Sequence, residues 1–129
     1  MREELDKKLT KTFPYLYADR YTDMRSTAMC WGFECGEGWF KIIWNLSKDL
    51  EAEIKKQPKE KREWYKASQV KEKFGGLRFY MNSSTEKMEK LIDKAERKSY
   101  KTCETCGKPG KRNDGGWIVT LCDRCEEKK

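Results

Sequence analysis

Histidine is absent from all 129 residues. The commonest general base near neutral pH is therefore missing, and so is the imidazole that most often ligates metals. Glu34, Glu37 and Glu72 remain as candidate bases, and Cys30 or Cys35 as a nucleophile, but neither thiol has a base-paired partner. The chain leans away from enzymes. Long apolar runs are lacking too: none approaches the ~20 residues that carry a helix across a bilayer. The opening MREELDKKLTK has no apolar core of a secretion signal. The expectation is a cytoplasmic protein that engages no membrane. No internal repeat and no low-complexity tract interrupts the chain.

Charge and aromatics are plentiful instead. Charged residues make up 40% and apolar residues 36%, so the core must be modest. Five Trp, six Tyr and five Phe offset this, because each ring buries much area. One compact domain with a small appendage fits the length. The formal net charge is +7, and four thiolates on one Zn²⁺ would lower it to about +5. That balance favours anionic partners without choosing between small molecules and nucleic acid, and solubility alone also explains it.

Apolar spacing marks three helices. Leu5 and Leu9 lie one turn apart within residues 2–11, with Pro14 soon after. Trp39, Ile43, Leu46, Leu50 and Ile54 recur at helical spacing, and Pro58 marks the exit. Met88, Leu91, Ile92 and Ala95 form a third stripe, with Ser83 and Glu86 at capping-box spacing. Met29, Trp31, Phe33 and Cys35 alternate as a half-buried strand requires. The expected fold is α+β: a small antiparallel sheet packed with about three helices over residues 1–100. A C-terminal Cys₄ zinc ribbon over 101–129 is expected to pack on that body.

The stretch KEKFGGLRFY fails as one continuous strand, because alternate residues share no character. A two-residue turn at Gly75 and Gly76 resolves it. Phe74 then faces Leu77, Lys73 faces Arg78, Glu72 faces Phe79 and Lys71 faces Tyr80. Val70, Phe74, Leu77, Phe79 and Met81 share one face; Lys71, Lys73, Arg78 and Tyr80 share the other. Lys73 opposite Arg78 is a like-charge pair that an anion would relieve. Cations beside an exposed ring can grip phosphate and stack a base, while glycine permits close backbone approach. Two charge-assisted bonds and one stacked base supply about 4 to 9 kcal/mol before ordering costs, so tight binding needs further walls. Trp39, Tyr17, Tyr21 and Arg20 are candidates for these, although core packing and ordinary surface charge account for them as well. Glu72, an acid on the apolar face, has an arginine partner or lies beyond the core's edge; the functional alternative is to accept from ribose hydroxyls or a base edge. From Lys55 to Lys73, seven lysines and one arginine outnumber three glutamates, as a solvated linker or a ligand-facing one would.

Near the C-terminus stand CETC and CDRC, with fifteen residues between the pairs. Each C-x₂-C turn presents two thiolates to one ion, and a connecting hairpin brings the pairs together. Cys103, Cys106, Cys122 and Cys125 are thus expected to bind one structural Zn²⁺, closed to water and substrate. Trp117 to Thr120 read as a short ribbon strand. Cys30 and Cys35 read as buried thiols.

At FECGEGWF, VKEKFGGLRFY, the AE…S…C-x₂-CG-x-PG run and WIVTLC, the sequence resembles a family of small proteins common in bacteriophage genomes and prophages. The similarity runs from FPYLY to TLC. In that family's pattern the fourth metal ligand is often histidine; Cys125 stands there here and leaves the site closed. The resemblance implies phage or prophage origin and action inside an infected bacterium, in the host cytoplasm. Three functions fit these readings. The first is a phage-type binding protein for an anionic nucleotide-like ligand, sequestering a nucleotide signal of host immunity. The second is a zinc-ribbon nucleic-acid-binding protein. The third is an interaction module that inhibits a host enzyme through the WIVTL hairpin and exposed tryptophans. A host protein partner and a homo-oligomer stay open.

Overall fold

Trp39, Ile43, Leu46, Leu50 and Ile54 do form a single stripe, and that stripe is the centre of the core. The computed structural model describes residues 1–25, 27–113 and 115–128. Helix α1 (Glu3–Thr12) lays Leu9 on the core, and α2 (Phe40–Lys55) carries the central stripe. Helix α3 (Glu86–Ser99) adds Met88, Ile92 and Ala95. The cap of α3 is Thr85, whose hydroxyl accepts from the Met88 N–H at 3.2 Å, rather than Ser83. No helix among the described residues is long and apolar enough to cross a membrane.

The main sheet has three strands in the order β1 (Phe33–Glu34), β2 (Ala67–Lys73) and β3 (Gly76–Met81). Strands β2 and β3 are antiparallel, whereas β1 pairs with β2 in parallel. The sheet is therefore mixed and not purely antiparallel. A parallel neighbour needs a long crossover, and α2 supplies it. A second, two-stranded sheet of β4 (Lys111–Arg112) and β5 (Thr120–Leu121) precedes the short helix α4 (Asp123–Glu127). The α+β class with a ribbon-like C-terminus is what the spacing implied.

The expected strand over Met29–Cys35 is shorter. Residues Ala28–Trp31 form a 3₁₀ turn, begun by the Thr27 hydroxyl accepting from the Met29 N–H at 3.1 Å. Met29, Phe33 and Cys35 are buried, but Trp31 stands in solvent. The aromatic connection FPYLY is held by polar groups of α2. Buried Glu51 accepts from the backbone N–H of Tyr15 (3.2 Å) and Leu16 (2.8 Å), and the Tyr17 hydroxyl meets Ser47 Oγ at 2.5 Å. Burial pushes the Tyr17 phenol well above its usual range. The charged segment QPKEKREW is ordered as a further 3₁₀ helix, Lys59–Trp64.

Arg20 ties these parts together. Its Nε and Nη2 reach Asp6 Oδ1 and Oδ2 at 2.9 and 2.7 Å, and Nη1 donates to Cys30 O at 2.9 Å. Both side chains of the pair are largely buried, so removing one strands the other's charge. Arg20→Ala is expected to cost about 3 kcal/mol of stability, read as a lower urea midpoint. Lys71→Ala on the sheet surface should shift it by no more than ~0.5 kcal/mol.

Candidate metal centre and binding groove

Two tight turns decide the geometry of the C-terminal cysteines. The Gly107 N–H closes the first by donating to Cys103 O at 2.9 Å, and α4 begins at Cys122 to place Cys125 one turn on. The sulfur atoms of Cys103, Cys106, Cys122 and Cys125 all lie within 4.8 Å of one another, with Cys106 and Cys122 3.6 Å apart. Tetrahedral bonds of ~2.3 Å require sulfur–sulfur edges of about 3.8 Å, so the cluster fits one metal ion with four thiolates. Burial pushes the Cys103 thiol up, but backbone N–H groups of Cys122, Cys106 and Thr105 outweigh it and bring the thiol down to about 6. Hydrogen bonding to Cys122, burial and the neighbouring Cys103 charge push Cys125 up to about 12. Four such thiols cannot share one pocket as anions unless a cation compensates them.

The knuckle also holds the turn before α2. A 3₁₀ turn, Glu37–Trp39, leads into that helix, and the Gly36 and Gly38 N–H groups at the start of the turn need partners. Glu104 supplies them: its carboxylate accepts from the Gly36 N–H at 2.8 Å and its carbonyl from the Gly38 N–H at 2.7 Å. The Trp39 indole donates to Thr102 O at 2.8 Å. Burial raises the Glu104 carboxyl above its usual range, against the Gly36 bond that lowers it. Contact is so close that a Cβ on Gly38 would lie 2.1 Å from Cys103 O. The glycines of FECGEGWF are a socket for CETC.

The second docking point explains KEKFGG. The turn residues are Phe74 and Gly75, with φ of 53° and 80°, so the turn sits one residue earlier than expected. Lys73 faces Gly76, Glu72 faces Leu77, Lys71 faces Arg78 and Val70 faces Phe79. Each partner moves by two positions, so the two faces keep their membership, except that Phe74 leaves the apolar face and is exposed at the tip. Gly76 stays in the strand because the Tyr100 ring covers it; a Cβ there would lie 2.6 Å from ring atoms. Gly75 O accepts from Thr120 Oγ1 of β5 at 2.5 Å. The left-handed Phe74 costs about 1–2 kcal/mol.

Most of the expected ligand groups therefore have partners within the chain. Arg78 pairs with Glu96 at 2.9 Å and with the Tyr100 hydroxyl at 3.1 Å, and Arg20 with Asp6. Glu72 accepts from the Gly75 N–H at 2.8 Å, closing its own turn rather than meeting a ligand or an arginine. Trp39 is fully buried in the core, and Gly75 and Gly76 carry the ribbon. Lys71, Lys73 and Tyr80 do share the outer face of the sheet, where Lys71 lies beside Glu34. Lys71, and not Lys73, faces Arg78 across the strands, and Glu96 pairs with Arg78. Cys35 is a buried thiol pushed up to about 12 by burial, and Cys30 is half-buried.

A different site emerges between α2 and α3. A groove of about 550 Å³ has a floor of Phe40, Ile42, Leu46, Leu91 and Ala95. Lys41, Asn45 and Asp49 line it from α2, Lys94 and Lys98 from α3, and Thr102, Cys106 and Gly107 close one end. Since α2 starts and α3 ends at the knuckle, Lys41 and Lys98 lie toward that end and Asp49 toward the other. The ammonium groups of Lys41, Lys94 and Lys98 have no hydrogen bond or ion pair among the described residues. Glu37, at the same end, is held by Arg2 at 2.8 Å. Nothing in the sequence groups these lysines: Lys94 and Lys98 stand four apart on one helix, and Lys41 stands on another. Comparison with family models, with curated proteins and with solved structures yields no match.

Two outcomes test the socket. Gly38→Ala should destabilise by about 3 kcal/mol or more, since backbone cannot yield as a side chain does, whereas Gly115→Ala, with open space around it, should be near neutral. Removing metal with a chelator should speed hydrogen exchange at the Gly36 and Gly38 amides specifically. Unchanged protection there would mean that the cysteines do not hold the knuckle.

Proposed function

We propose that this chain is a non-catalytic binding protein for a small anionic, ring-bearing ligand of the nucleotide type, held in the groove between α2 and α3. The observation that carries this reading is one groove lined by apolar residues and by three lysines whose ammonium groups have no partner among the described residues. Its volume lies in the ~300–1,000 Å³ range of small-molecule sites. Lys41 and Lys98 would take an anionic group at the knuckle end, where the positive end of the α2 dipole is offset by the negative end of α3. Phe40, Leu46 and Leu91 would cover the ring. Asn45 and Asp49 can accept from hydroxyls or read a base edge.

Zinc is the metal that this donor set favours, four thiolates being the commonest closed structural site. It would leave no open position for catalysis and would hold the end wall of the groove. With the resemblance to phage proteins, the reading becomes capture of a host nucleotide signal inside the infected cell.

Mass spectrometry of small molecules released by heating the purified protein should identify a phosphorylated ligand, and metal analysis should give one zinc per chain. In calorimetry against cyclic dinucleotides and ADP-ribose derivatives, Lys94→Ala with Lys98→Ala should weaken binding about 10- to 100-fold, at 1.4 kcal/mol per factor of ten. Lys71→Ala with Lys73→Ala should leave it unchanged. Failure of the whole panel, or equal loss in both double variants, would sink the groove as the site.

A further inference from the structure

Phe74 is the one non-glycine residue with positive φ among the described residues. A two-residue hairpin turn of this kind favours Asn, Asp or Gly, which meet little steric cost there. Phenylalanine is unfavourable for folding in two ways: its backbone is strained, and its ring is 56% exposed, so burial returns little. Folding does not account for this side chain.

Its surroundings do. Lys73 Nζ lies 5.7 Å from the centre of the Phe74 ring. Gly75, next in the chain, is seated on the ribbon, where Arg112 Cγ and the Val119 carbonyl carbon lie 3.2 and 3.3 Å from where a Cβ would stand. Two residues before Val119 is Trp117, 75% exposed. Along β3 the same outer face continues to Tyr80, which is 42% exposed. Exposed rings and cations thus lie both on the hairpin, at Lys73, Phe74 and Tyr80, and on the ribbon that its tip touches, at Trp117 and at Arg112, which lies over Tyr100.

We propose that this ridge is a stacking platform for single-stranded nucleic acid, with Phe74 taking base faces and Lys73 and Arg112 the phosphates. Unpaired bases offer the π-faces that duplex encloses, and acidic peptides would satisfy the cations while leaving the rings without partners. The platform shares no residue with the groove, so either can fail without the other.

The test is fluorescence anisotropy of the full, metal-loaded chain with a labelled oligothymidylate of about 12 nucleotides. Phe74→Asn relaxes the turn, so its Tm should rise by a few degrees while affinity falls about tenfold, the effect of one lost stacking contact. Lys73→Ala should make the salt slope shallower by about 0.7, the share of one phosphate on a single strand. The proposal is overturned if wild type does not bind at low salt, or if Phe74→Asn binds as well as wild type. It is equally overturned if Phe74→Asn loses Tm and affinity together, which marks a structural role. Duplex or polyglutamate competing as well as the oligonucleotide would also overturn it.

Discussion

Glu104 is the residue through which the two halves of this chain are joined. One carboxylate and one carbonyl from the same residue take the N–H groups of Gly36 and Gly38, and the preceding Thr102 carbonyl takes the Trp39 indole. The cysteine cluster gives this knuckle its shape, because both C-x₂-C turns must close on a common point. The knuckle thereby fixes the 3₁₀ turn that leads into α2 and its core stripe from Ile43 to Ile54. Without a rigid knuckle, the Gly36 and Gly38 N–H groups and the Trp39 indole would lose their partners, and folded proteins rarely tolerate unpaired buried donors.

The hairpin tip is the second fastening. Thr120 and Tyr100 approach Gly75 and Gly76 so closely that no side chain fits between them. Arg112 lies over the other part of Tyr100, 4.9 Å from its centre, and Arg78 reaches its hydroxyl. The glycine pairs of the two most distinctive stretches are thus the places where ribbon and body meet. Their chemistry is steric: each marks a backbone that another backbone or ring must touch.

Periodic features were legible in the sequence. The stripe of α2, the double C-x₂-C spacing and the two faces of the hairpin all depend on local repeat, and local repeat survives in the fold. Features set by distant partners were not. Gly36 and Gly38 read as the end of a strand, because nothing nearby announces that Glu104 will fill the space. Phe74 read as a core residue, since the competing demand of Tyr100 on Gly76 comes from α3. Arg20 and Arg78 read as free cations because their carboxylates, Asp6 and Glu96, are remote in sequence. Nothing local groups Lys41, Lys94 and Lys98 either, because the groove between them exists only once two helices pack.

The socket also sets an order of events in the making of this protein. Its two sides are separated by 68 residues, and the cysteines close only after Cys125 has been translated. Until then the amides of Gly36 and Gly38 and the Trp39 indole face water, in a chain whose other apolar residues are already available to collapse. Metal supply therefore acts only once both C-x₂-C turns have been made, and scarcity would leave the partners of the socket open to cellular proteases.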